Sequence, residues 1–86
     1  MMATNSVYFE IRVTLNTEII TRKPVGTNSA EAYIAFNQFL DEMRAEGYDV
    51  RKPKRGNRKN HYIASEQDGF RYDVWLVDEP TVVRQG

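Results

Sequence analysis

Residues 7–15 read VYFEIRVTL, and they alternate without a break. Val7, Phe9, Ile11, Val13 and Leu15 fall on one side, with Tyr8, Glu10, Arg12 and Thr14 on the other. Period two over this length, rich in β-branched and aromatic residues, specifies a strand with one buried face. Asn16-Thr17 follows at the place a tight turn needs, and asparagine tolerates the left-handed conformation such turns use. Residues 18–23 then read as the returning strand, ended by Pro24, which has no N–H for a ladder. The turn length is open at this level, and it decides which of Ile19 and Ile20 points inward.

The buried face of that strand needs a cover, and the next segment supplies one. Asn28, with Glu31 three residues on, has the form of a helix N-cap. From there Ala32, Tyr33, Phe36, Phe39, Leu40 and Met43 recur at spacings of three and four, forming one apolar stripe. Gly47 ends the helix as a residue free to take positive φ. Residues 48–50 return to extended structure, a short edge strand cut off by Pro53. Residues 61–65 and 70–77 form a second hairpin around Glu66-Gln67-Asp68-Gly69, with Asp-Gly as the turn.

The fold expected is therefore α+β. A single helix packs on an antiparallel sheet of four to five strands, in the order β-β-α-(β)-β-β. Phe36, Leu40 and Met43 should meet Phe9, Ile11, Val13 and Val74. Each large side chain fully buried there is worth roughly 1.5–3 kcal/mol. One helix covers one face, so the other face stays open or closes on a partner. Tyr8, Arg12, Arg71 and Trp75 are the candidates for that open face.

Eighty-six residues make one domain, with residues 1–6 and 79–86 expected as loose tails. The absence of cysteine removes disulfides and thiolate chemistry and fits a reducing cytoplasm. Glu10 and Arg12 interrupt any leader-like apolar run, and no stretch approaches the 18 or so apolar residues of a membrane span. A cytoplasmic protein without membrane contact is expected.

The net charge is zero, but it is segregated. Residues 51–60, RKPKRGNRKN, hold six cations and no acid; the rest of the chain sets six Lys/Arg against twelve Asp/Glu. Arg51, Lys52, Lys54, Arg55, Arg58 and Lys59 repel one another, while Pro53 and Gly56 oppose a regular element, so a basic loop is expected. Such a loop suits an acidic protein surface, where it steers encounter, or a nucleic-acid backbone. A solvated loop with no partner is the plain alternative. The acidic remainder of the chain weighs against broad nucleic-acid binding.

Chemistry beyond binding finds little support. His61 is the sole histidine; Ser65, Asp73 and Glu66 are the residues with which it would have to form a catalytic group. A single histidine cannot build a zinc site, and the acidic residues lack calcium-loop spacing. No catalytic residue, metal or cofactor is expected. Trp75 has two readings: an exposed anchor for a partner, or a ring covered by a C-terminal tail through Val82 and Val83.

A short hairpin, a capped helix ending in Gly-Tyr-Asp-Val and a cationic segment after it resemble small bacteriophage accessory proteins. These include inhibitors of host RNA polymerase and some anti-CRISPR proteins. The resemblance covers residues 7–60, and the hairpin of residues 62–77 is an addition to that plan. It implies a strand face and nearby arginines that occupy a host enzyme's nucleic-acid path, with residues 51–59 as the matching cationic segment. The expected partner is a larger host protein or nucleoprotein complex with an acidic surface. Nucleic-acid backbone is the alternative, and a homodimer through edge strands is a third arrangement.

Overall fold

The two long strands at the ends of the sequence are neighbours at the centre of the sheet. In the computed structural model, which describes residues 4–54 and 60–83, β1 (Thr4–Leu15) and β5 (Arg71–Val83) pair antiparallel from Thr4↔Val83 to Thr14↔Asp73. β2 (Glu18–Pro24) flanks β1, and β4 (His61–Ser65) and β3 (Asp49–Arg51) complete the other side. The order is β2-β1-β5-β4-β3, antiparallel throughout. One helix, α1 (Ser29–Ala45), lies across one face. The α+β architecture is the one the alternation and the helical stripe specify.

The helix ends follow from its flanking residues. Asn28 is extended, and its side chain accepts the Glu31 N–H at 3.0 Å, satisfying one of the donors left over at a helix start. At the other end Gly47 has φ +102°. The Tyr48 N–H reaches back to the Met43 carbonyl and the Gly47 N–H to that of Arg44, each at 3.0 Å. That pair of bonds is a Schellman termination, and the left-handed residue it requires is favourable for glycine.

Ala32, Phe36, Leu40 and Met43 bury the helix stripe against Ile11, Val13, Val50, Ala64, Val74 and Leu76. Phe36, Ile11, Leu40 and Val74 are the largest side chains fully excluded from water. Phe36 also meets Tyr62, ring centroids 5.8 Å apart. Phe9, Phe39, Tyr48 and Tyr72 are half-buried around this centre.

The first hairpin resolves to a two-residue turn, with Leu15 opposite Glu18 and Thr14 opposite Ile19. Asn16 and Thr17 both have positive φ, 51° and 74°, the requirement of the turn whose twist suits a hairpin. The pairing then skips, so that Val13 faces Thr21 and Ile20 is the extra residue of a bulge. Ile19 and Ile20 both remain exposed.

The ends depart from the expectation of loose tails. Residues 4–6 pair with residues 81–83, and β5 runs straight through Pro80, opposite Val7. β4 ends its pairing with β5 at His61↔Trp75 and Asn60 still bonds Leu76, so beyond Leu76 only β1 flanks β5 among the described residues. A strand with one open edge tolerates proline, and the β-branched Thr81, Val82 and Val83 favour extended structure. Residues 1–3 and 84–86 lie outside the described residues. So do residues 55–59, which contain Arg55, Arg58 and Lys59 of the expected basic loop.

Candidate functional site

Pairing and alternation together place a defined set of side chains on the face away from the helix. Direct partners across the sheet form a first row, Arg22, Arg12, Trp75 and His61. A second row runs Thr14, Asp73, Ile63 and Arg51. A third joins Arg71, Ser65 and Asp49. Tyr8, half-buried, shares this side with Glu10 and Arg12.

Trp75 is on the open side, as its alternation specifies, but its ring is held from within. The imidazole of His61 lies flat on it, centroids 3.6 Å apart and planes 3° from parallel. The indole N–H donates to Thr14 Oγ1 at 3.3 Å. His61 in turn donates from Nε2 to Asp73 Oδ1 at 2.9 Å, since a carboxylate only accepts. Thr14, Trp75, His61 and Asp73 thus form one connected group on three adjacent strands, β1, β5 and β4. The backbone of residues 81–83 runs in the sheet beside β1, so the reading in which that segment folds back over Trp75 is replaced by this half-buried stack.

Beside the stack a carboxylate is buried. Glu10 is 4% exposed, and the Arg12 Nε–H donates to its Oε2. Arg22 Nη1 approaches the same oxygen at 3.9 Å. Arg12, read as a contact residue from sequence, therefore also serves to neutralise a buried charge, whose isolated burial would be costly. Glu10 itself escapes a sequence reading, because an acid on the polar side of an alternating strand looks solvated. The available signal is Arg12 two positions on, on the same face.

The third feature is a concavity of about 650 Å³ lined by Asp49, Arg51, Lys52, Pro53, Lys54, Ile63, Ser65 and Arg71. It brings Arg51 and Lys54 of the basic segment together with Arg71 of the open face, a conjunction no local pattern encodes. Asp49, the one acid there, accepts from Arg51 Nε at 2.9 Å. The Lys52 ammonium is directed elsewhere, 5.8 Å from the Tyr62 ring centroid.

The acidic residues of the helix lie on the opposite side of the sheet. Glu31, Asp41, Glu42 and Glu46 are all exposed on α1 or its C-cap, and Arg44, the cation among them, is paired to Asp41 at 2.8 Å. The charge segregation of the sequence is thus partly a division between two faces. The sheet offers exposed Arg51, Lys54 and Arg71; the helix offers carboxylates.

The residues considered for catalysis are only partly assembled. His61 and Asp73 meet, but Ser65 is four residues further along β4, about 13 Å away at 3.3 Å per residue. Glu66 is engaged on the other side, accepting the Tyr72 hydroxyl at 3.0 Å. That hydrogen bond, with burial and the Glu66 charge adding to it, raises the Tyr72 phenol above its ordinary value.

Among the described residues no group of three or more His, Cys, Asp or Glu is placed to hold a metal ion. No helix among them is long and apolar enough to cross a membrane. No protein-family model, curated protein or solved structure matches the chain.

Proposed function

We propose that the chain is a small non-enzymatic binding protein of the phage or mobile-element kind. It acts in the cytoplasm by docking its open sheet face on an acidic surface of a larger host complex and occluding that surface. The observation that carries this reading is the convergence of Arg51, Lys54 and Arg71 on one concavity. Exposed cations on a rigid sheet accelerate and orient encounter with an acidic partner. The fixed His61–Trp75 stack adds ordered aromatic area beside them, the kind of residue that anchors interfaces.

A second reading, direct binding of nucleic-acid backbone, gains from the position of the helix. The carboxylates that argued against a phosphate partner project from the far side of the sheet, away from the concavity.

Capture from a nuclease-treated lysate of the native host tests the first reading. The wild-type chain should retain a defined complex, and Arg51→Glu with Lys54→Glu should lose it at an unchanged melting temperature. Equal recovery by both forms overturns the assignment of this face.

A further inference from the structure

The concavity has the composition of a phosphodiester site. Ile63 and Pro53 give it apolar surface, Ser65 brings a hydroxyl, and Arg51, Lys54 and Arg71 supply the charge. Its one acid, Asp49, is paired to Arg51 Nε and is outnumbered by the cations of the lining. That bond leaves the terminal guanidinium nitrogens of Arg51, the pair whose geometry matches phosphate oxygens. At about 650 Å³ the hollow is larger than one carboxylate side chain would fill.

The lining ends at Ile63, and the His61–Trp75 stack lies past it on the same face, with Asp73, bonded to His61, between the stack and Arg71. Ser65, Ile63 and His61 lie on the same side of β4 at intervals of about 6.6 Å, leading from the cations to the His61–Trp75 stack. A positive trough that runs toward aromatic rings is how proteins hold single strands, with charge tracking the backbone and rings beside the bases. We infer that this trough takes a short stretch of single-stranded nucleic acid, with Arg51, Lys54 and Arg71 on phosphates and the His61–Trp75 pair beside the bases.

This rests on the open face being the docking face, and it names the chemistry recognised there. A complex engaged in this way is lost on nuclease treatment, unlike one held through an acidic protein surface.

The probe is a fluorescently labelled oligothymidylate of about 10 nucleotides, within the span a small site covers. Its anisotropy is followed against the full chain at several salt concentrations. Three phosphate contacts give a log–log salt slope of about −2, at about 0.7 per contact for single strands. Between about 50 and 200 mM salt the affinity should then fall roughly 20-fold. Arg71→Gln and Lys54→Gln should each weaken binding and reduce the slope by about 0.7. Lys23→Gln, whose ammonium sits over Phe39 on the helix side, should change neither.

No anisotropy change at the lowest salt overturns the inference. So does binding that is indifferent to Arg71→Gln and Lys54→Gln, or equal affinity for the same strand in a duplex with oligodeoxyadenylate. If the oligonucleotide is not bound but the Arg51→Glu, Lys54→Glu chain still loses a nuclease-treated complex, the inference falls and the protein-docking reading stands. Binding of the oligonucleotide with no capture of a complex reverses that outcome.

Discussion

The His61 imidazole and the Trp75 indole lie face to face, 3.6 Å between centroids and 3° from parallel, across the β4–β5 pair. Fourteen residues separate them in sequence, and the β4–β5 register makes them direct neighbours. Asp73 fixes one ring and Thr14 the other. The open face therefore holds an ordered aromatic pair between Arg12 on one side and the cationic concavity on the other.

Trp75 is the sole tryptophan, so its emission reports on this stack alone. His61→Ala should shift the emission to longer wavelength as water reaches the indole. The loss of the ring contact should cost about 1 kcal/mol in denaturant unfolding. An unchanged spectrum would contradict the stacked arrangement.

The buried Glu10 carboxylate makes Arg12 a structural residue as well as a surface one. Arg12→Ala should destabilise the fold by about 3 kcal/mol, because removing one partner of a buried pair leaves a charge poorly compensated. Combining it with Glu10→Leu should recover a good part of that loss. Additive effects in this double-mutant cycle would contradict the coupling.

Thr17 sits at φ 74° in the first turn, a left-handed position that a β-branched residue occupies at a cost. Thr17→Gly restores the residue this turn favours and should raise stability by about 1 kcal/mol. Thermal or chemical unfolding reads the change directly, and a destabilised variant would contradict the turn geometry.

Tyr72 is held in its neutral form by donating to Glu66. A phenol whose folded-state value is raised contributes stability that is whole below its ordinary value of 10.0 and is lost as pH climbs through the raised one. In an absorbance titration Tyr72 should ionise above its ordinary value. Glu66→Gln should bring it back toward the ordinary value. A titration identical in both chains would exclude the bond as the cause.

Local features were legible in the sequence because their causes are local. The alternation of residues 7–15, the Asn28 cap and the Gly47 stop depend on neighbours within a few positions. The β2 register was not legible, since it depends on Thr17 accepting a conformation that its side chain opposes. Nor was the continuation of β5 through Pro80, because proline reads as a terminator until the sheet shows a strand with one open edge. The site was legible by residue type only. Arg51, Lys54, Arg71 and Trp75 are conspicuous one by one. Their meeting depends on Ser65 pairing with both Arg71 and Asp49, a relation set by register between separate strands. Glu10 and His61 acquire their roles from those same cross-strand relations.

The division of charge between the two faces is most directly tested by reversing each in turn. Partner capture should be lost with Arg51→Glu, Lys54→Glu on the sheet side and kept with Glu42→Lys, Glu46→Lys on the helix side, with all three chains melting alike. Loss with the helix-side pair and retention with the sheet-side pair would contradict the account.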